Sequence, residues 1–351
     1  MKSSWTLVTG AGGFVGAAVV RRLLERGERV RAFVRPEANL DALRELSSER
    51  LTLSVGDVRI EHTVFRALAG CRRMFHVAHD YSFDPRSRED VLSTAITGTR
   101  AVLEAARRRR LQKIVVTGCA AALGVNSEPE PMDEGHAFNL TDPDAHVEAE
   151  YEASQVTLDA IEDGRPVVTV FPTVVLGPGD RKPTPTGAGL VGYLGLSPNL
   201  RVPVGQGGLN VVDVEDVAEG HVLAMERGSV GERYLLGGEN LTYVQLFELL
   251  SELTGLALPG KPQSPRTAAW LATVLELKAR LAGRRPLVTR KLVRDFGSSF
   301  AWFTSKKAEQ ELGYRHRPAS EAIARSVRWF LKSGQVPEEA VRRVRLELRP
   351  A

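Results

Sequence analysis

Short apolar runs rich in β-branched residues recur through the first half of the chain, each set off by a stretch long enough for a helix. The runs are WTLVTG (5–10), RVRAFV (29–34), RLTLSV (50–55), RRMFHVA (72–78), KIVVTG (113–118) and PVVTVF (166–171). Within most of them apolar residues follow one another instead of alternating with polar ones, the pattern of strands covered on both faces. Between the first two, FVGAAVVRRLLERG (14–27) repeats apolar positions at helical spacing and ends on Gly27, suited to the left-handed position that closes a helix. Alternation of this kind predicts an α/β fold with a parallel, doubly wound sheet.

The rhythm breaks after FPTVVLGPGD (171–180). A loop rich in Gly and Pro, GPGDRKPTPTGAG (177–189), leads into irregular segments and the helical patterns of residues 241–351. LNVVDVEDVAEGHVLAM (209–225) again reads as strand, loop and helix, so the two parts are expected to intertwine. The expected division is a nucleotide-binding domain over 1–180, continued by about 209–228. A smaller, mostly helical substrate lobe then takes 181–208 and 229–351.

Composition narrows the function. With 351 residues, 43% hydrophobic and 26% charged, the chain can bury a large core and is not disordered by composition. Net charge is +4, and part of the basicity sits in ARRRR (106–110) and VRRVRLELR (341–349). The first reads as the solvated end of a helix and the second as a charged terminal helix. No recognition motif or basic–aromatic interleaving accompanies them, so no nucleic-acid partner is expected. Cys71 and Cys119 are too few for a disulfide framework, and MKSSWTLVTG lacks the apolar core of a signal peptide; both favour a cytoplasmic protein. No apolar run approaches the roughly 20 residues of a spanning helix. TAAWLATVLELKARLAG (267–283) is an amphipathic helix that covers a core or lies against a membrane surface.

Candidate chemistry begins at the first strand–helix junction. VTGAGGFVG sets Gly10, Gly13 and Gly16 where a dinucleotide-binding, Rossmann-type fold needs a tight turn, a close approach to pyrophosphate and close helix packing. The backbone of Phe14 and Val15 opens the helix, whose N-terminus faces the anion. The second strand ends at Arg35, which suits the 2′-phosphate of NADP better than the ribose diol of NAD. Asp57, followed by Val58, closes the third strand where a carboxylate meets an adenine amine. Val77 and Ala78, in HVAHD (76–80), end the fourth at the carboxyl edge where ligands bind such sheets. His76 and His79 have metal-like spacing but no evident third ligand, so no metal site is expected.

These stretches resemble the extended short-chain dehydrogenase/reductase family, also called the NAD-dependent epimerase/dehydratase family. The likeness is carried in order by TGAGGFVG (9–16), VRAFVR (30–35), GDV (56–58), FHVAH (75–79), VVTGCAAALG (115–124), YEASQ (151–155), FPTVVLGPGD (171–180), VVDVEDVAEGH (211–221) and TSKKAEQELGY (304–314). Within the family the chain is most similar to the dihydroflavonol-reductase-like branch. GPGDRKPTPTG (177–187) and GERYLLGGENLT (231–242) resemble the hopanoid-associated sugar epimerases there.

The resemblance implies chemistry by a Ser/Thr, a Tyr and a Lys four positions after the Tyr, with Pro172 beside the cofactor. One helical turn brings Tyr and Lys to one face, and the lysine both holds the nicotinamide ribose and makes the tyrosine a readier proton carrier. In this register Tyr151 takes the tyrosine position, Gln155 the lysine position and Cys119 the serine position. Gln155 is expected to hydrogen-bond the ribose without supplying charge. Tyr151, flanked by Glu150 and Glu152, is expected to donate a proton but to be a poor base. Further acid–base candidates are His79, Asp80, Tyr81, His146 and Asp180. His79 stands at the cofactor edge, and His146, one turn before Glu150, suits a surface pair. The expected function is an NADP(H)-binding reductase, epimerase or dehydratase with altered catalytic residues. The alternatives are a non-redox catalyst or isomerase on the same scaffold, and a catalytically weak nucleotide-binding protein. Tryptophan-bearing apolar segments at 268–277 and 298–303 favour a hydrophobic or aromatic small-molecule substrate, and a homodimer is the family's habit.

Overall fold

A computed structural model describes residues 4–46, 48–78, 88–196, 204–258 and 297–345, together with 267, 270, 272–274, 276 and 277. Its strands are β1 (Trp5–Thr9), β2 (Arg29–Val34), β3 (Leu51–Val55), β4 (Cys71–His76), β5 (Lys113–Thr117), β6 (Val167–Pro172), β7 (Val174–Leu176), β8 (Gly208–Asp213), β9 (Arg233–Leu236), β10 (Glu239–Thr242) and β11 (Phe300–Ala301). Seven of them form one sheet in the order β3-β2-β1-β4-β5-β6-β9, all pairs parallel. The strand order reverses between β1 and β4, and that switch point fixes where a crevice opens at the carboxyl edge.

Successive residues of β1, β2, β4, β5 and β6 enter opposite cores, as their apolar runs demand, while the edge strand β3 leaves Leu53 and Val55 exposed. Val8, Ala32, Phe75, Val115 and Val168 pack toward α1 (Phe14–Glu25) and α7 (Val214–Arg227). Leu7, Phe33, Met74, Ile114 and Val167 pack toward α3 (Glu61–Ala67), α4 (Arg88–Arg108) and α5 (Ala145–Glu162). Burying a side chain of this size contributes about 1.5–3 kcal/mol, so both faces hold the sheet strongly.

A second sheet is centred on β8, which pairs antiparallel with β10 and parallel with β7 and β11. With α6 (Pro185–Gly195), α8 (Tyr243–Thr254) and the helix Ala319–Lys332 it builds a lobe whose own core includes Leu190, Leu194, Leu250, Ile323 and Phe330. Asn210, 1% exposed, ties the lobe to the exit of β6. Its Oδ1 accepts from Thr173 Oγ1 and from the Gly238 amide, both at 2.8 Å, while its Nδ2 donates to Asn240 Oδ1 at 2.7 Å.

Three local expectations change. The stretch 209–225 has no loop: β8 runs directly into α7, with the Asp213 carboxylate accepting from the Glu215 amide at 2.8 Å. Moreover β8 belongs to the second sheet, while β9, within the stretch assigned to the lobe, supplies the seventh main-sheet strand. Of the terminal helix expected over 341–349, the described residues hold only Val341 in a helix, Glu338–Val341, with turn and coil over 342–345; the rest lies outside the described residues. The other basic run behaves as a solvated helix end: Arg107 pairs with Glu104 at 2.6 Å and Arg108 with Glu61 at 2.5 Å. Within 267–283 the described residues are helical, with Ala272 buried and Trp270 exposed.

Candidate active site

One continuous cavity of about 1030 Å³ runs from the glycine turn after β1, past the carboxyl ends of β4, β5 and β6, into the lobe. Gly10 has φ +64°, and a Cβ there would lie 2.7 Å from the Cα of Ala78. A Cβ on Gly16 would lie 2.1 Å from the Gly10 carbonyl oxygen, so only hydrogen lets α1 seat against the turn. Gly13 caps α1 with no side-chain hydrogen bond, and Phe14 and Val15 line the cavity. First-turn amides lack partners within their own helix, so an uncapped N-terminus facing a cavity is a donor set that fits a pyrophosphate.

At the far end of this groove Arg35, Asp57 and Val58 line the wall. Arg35 forms an ion pair with Glu37 at 3.4 Å. The Asp57 carboxylate is held by Arg59, with Nη2–Oδ2 at 2.5 Å, and that hydrogen-bonded guanidinium keeps it below the usual carboxylate range. Val77 and Ala78 line the cavity where β4 ends, and Pro172 where β6 ends. Buried His76 also reaches the wall, but its Nδ1 lies 2.8 Å from Thr9 Oγ1.

Cys119 stands on the wall just past β5, entering the 3-10 helix Ala120–Leu123. Gly118 before it has no room for a side chain, since a Cβ would lie 2.7 Å from the Phe171 ring. Thr117, also on the wall, is fixed from below by buried His221. The His221 Nδ1 donates to the Val217 carbonyl at 2.7 Å, so its Nε2 accepts from Thr117 Oγ1 at 2.9 Å. A carbonyl can only accept, which sets the tautomer.

Helix α5 revises the sequence reading. The residues it turns to the cavity are His146, Ala149, Glu150 and Ala153, a single face at spacings of three and four. Tyr151 and Gln155 are not on the cavity wall; the Tyr151 ring stacks on Phe138 with centroids 4.4 Å apart. The pattern Tyr-x-x-Ser at 151–154 therefore sits five residues past the facing pair, and five residues rotate a helix by about 140°. His146 and Glu150 do not form a surface pair: both face the cavity, and Glu150 is 3% exposed. A cap and a tertiary ion pair fix the orientation. Asp144 caps α5 by accepting from the His146 amide at 3.0 Å, and Glu148 holds Arg88 of α4 at 2.6 Å. His79, Asp80 and Tyr81 lie outside the described residues. Among the described residues no group of three or more His, Cys, Asp or Glu could hold a metal ion.

Where the cavity enters the lobe it is lined by Leu190, Tyr193, Leu196, Leu246, Phe247 and Leu250. Asp180 stands at this junction, buried, accepting from Thr184 Oγ1 at 2.8 Å and from the Thr184 amide at 3.0 Å. Burial pushes its carboxyl up to about 6 against those hydrogen bonds. Tyr243 faces the same chamber, and burial pushes its phenol up to about 12. Apart from Asp180, these lobe residues carried no motif in the sequence; only the fold collects them.

Comparison with known proteins accords with this geometry. Residues 6–237 match the model of the NAD dependent epimerase/dehydratase family. The chain is 36% identical over 337 residues to a putative dihydroflavonol 4-reductase of Synechocystis sp., covering 94% of this chain and 95% of that one. It is 33% identical over 336 residues to sterol demethylase protein B of Methylococcus capsulatus, covering 94% and 99%. The crystal structure of gox2253 superposes with a TM-score of 0.82 at 38% identity, over 95% of this chain and 100% of that one. A nucleoside-diphosphate-sugar epimerase from Pseudomonas aeruginosa gives 0.75 at 25% identity, over 95% and 99%. With the strand order, the glycine turn and these matches together, the chain belongs to the NAD dependent epimerase/dehydratase family of extended short-chain dehydrogenases/reductases.

Proposed function

We propose that the protein is an NADP(H)-dependent oxidoreductase acting on a hydroxyl or carbonyl group of an apolar, ring-bearing small molecule. The observation that carries this reading is the continuity of the cavity, from an uncapped helix N-terminus at one end to a chamber walled by leucines and aromatics at the other. The first-turn amides of α1 would hold the pyrophosphate, Arg35 the 2′-phosphate and Asp57 the adenine. When bound, the nicotinamide supplies the acceptor or donor of hydride. The chain's own groups handle the proton at the substrate oxygen and exclude water around it.

The apolar chamber favours rings without phosphate. A nucleotide-sugar would bring a second diphosphate, whereas Leu190, Leu196, Leu246, Phe247 and Leu250 make up most of the chamber wall beside Tyr193 and Tyr243. Reductases acting on flavonoid-like rings and a sterol-processing protein among the relatives support the same substrate class.

The test has two arms. Calorimetric titration should show NADP⁺ bound more tightly than NAD⁺, with Arg35→Ala weakening NADP⁺ by about 10- to 100-fold, the value of a charge-assisted phosphate contact. NAD⁺ affinity should change little in that variant. Incubation with NADP⁺ and a panel of secondary alcohols should then yield reduced cofactor from aryl or polycyclic members and none from UDP-glucose. Equal loss of both dinucleotides would remove the NADP assignment. Turnover of the nucleotide-sugar alone would remove the apolar substrate. Binding without redox turnover across the panel would favour the non-redox alternative.

A further inference from the structure

The cavity-facing pair on α5 has the family's spacing and the opposite charge. In the family's arrangement a tyrosine exchanges the proton and a lysine four residues later holds the nicotinamide ribose. Here the side chains at that spacing on the cavity face are His146 and Glu150. Ala149 and Ala153 beside them project no bulk into the space, and Cys119 stands on the neighbouring wall past β5.

We propose that His146 and Glu150 take over the two roles with the charge inverted. Glu150 accepts hydrogen bonds from the nicotinamide ribose and biases the site toward oxidised cofactor, and His146 exchanges the proton with the substrate oxygen. The inference rests on the dinucleotide reading above.

The charge argument is direct. Oxidised nicotinamide carries a positive charge and reduced nicotinamide does not, so a carboxylate nearby favours the oxidised form, whereas a lysine there disfavours it. Glu150 is nearly removed from water, where charges interact more strongly than in bulk solvent. The other charged groups on the described wall lie toward its two ends. Arg35 pairs with Glu37 and Asp57 with Arg59 at the adenine end, Arg181 pairs with Glu45 at 2.6 Å, and Lys182 is exposed beside Asp180 at the lobe. Around the ends of β4, β5 and α5, the described titratable side chains on the wall are His76, Cys119, His146 and Glu150. His76 is buried against Thr9 and a thiol is a weak hydrogen-bond donor, so the half-buried imidazole of His146 is assigned the proton.

The step balances as an alcohol oxidation. A bound oxidised dinucleotide would take the hydride from the carbinol C–H, while the O–H bond breaks with its proton passing to His146. The products are a ketone, reduced dinucleotide and an imidazolium that returns its proton to water. By stabilising the oxidised dinucleotide, Glu150 shifts the bound equilibrium toward the reverse step, ketone reduction, in which His146 gives the proton to the oxygen.

Titration of NADP⁺ and NADPH into the full chain tests the pair without a substrate. Glu150→Gln, nearly isosteric, should lower the NADP⁺ to NADPH affinity ratio by about tenfold or more. Gln155→Lys, off the cavity wall, should leave the ratio unchanged. If Glu150→Gln does not fold, Glu150→Lys reinstates the family's side chain and should move the ratio further the same way. In a second readout, diethyl pyrocarbonate labelling of His146, followed by mass spectrometry with exposed His62 as reference, should fall at saturating NADP⁺. A ratio indifferent to Glu150 but shifted by Gln155→Lys, or His146 labelling unaffected by NADP⁺, overturns the pair. Failure to bind either dinucleotide removes the cofactor reading itself.

Discussion

Gly16 shows how one missing side chain serves both fold and site. A Cβ at that position would press on the Gly10 carbonyl at 2.1 Å, backbone against backbone, with no flexible side chain to yield. Gly16→Val should push the first turn of α1 off the glycine loop, misaligning the amides that face the cavity. NADP⁺ affinity is expected to fall at least about 100-fold, with a lowered melting temperature of the type over-packing causes; calorimetry and thermal unfolding would read both. Undiminished affinity would place the dinucleotide elsewhere. Gly10, Gly13 and Gly16 were legible in the sequence because their requirement is local: a turn and a close approach within seven residues. The pair on α5 was not. Tyr151 and Ser154 imitate the family's spacing, and only the rotation of the whole helix shows that His146 and Glu150 face the cavity. That rotation depends on contacts distant in sequence, such as Glu148 with Arg88 and Tyr151 with Phe138.

Among the elements, α6 is the one that joins the two halves of the cavity. Thr184 caps it, Pro185 opens it, and Thr184 is itself gripped by the Asp180 carboxylate. A Cβ on Gly187 would lie 2.0 Å from Asp180 Oδ2, so carboxylate and helix are packed without slack. The Asp180 carboxyl, pushed up to about 6 by burial from an ordinary value of 3.8, binds its proton more tightly in the folded chain than in the unfolded one. Its contribution is therefore most stabilising below about pH 4 and is lost as pH rises through about 6. Thermal unfolding of wild type and Asp180→Asn across this window should show the wild type losing ground to the variant as pH rises. Parallel curves would mean that Asp180 does not titrate there. The loop rich in Gly and Pro expected over 177–189 was legible up to Thr184, but from Pro185 onward that stretch is helical. The burial of Asp180 was not, because it requires the helix Ala319–Lys332 and its Phe330 to close over Gly187.

At the scale of the whole molecule, two sheets share one cavity. The main sheet supplies the carboxyl edge and its switch point, and the lobe, anchored through Asn210 to Thr173, supplies the apolar chamber. The alternation of strands and helices revealed the first six strands because parallel sheets bury both faces and leave unbroken apolar runs. The seventh strand, β9, and the placement of β8 in the second sheet are decided by pairing between distant segments, which periodicity does not encode. The same division explains the function. A nucleotide turn is local and readable, while a substrate chamber is assembled from Leu190 and Tyr193 together with Leu246 and Phe247, about fifty residues further on.

The central claim is that a dinucleotide lies along this cavity with its nicotinamide end on the His146–Glu150 face of α5. A crystal structure of the NADP⁺ complex measures it directly. The account predicts the 2′-phosphate beside Arg35, the pyrophosphate on the first turn of α1, and the nicotinamide ribose hydrogen-bonded to Glu150. A nicotinamide ribose held by Gln155, with Tyr151 at the ring, would contradict it.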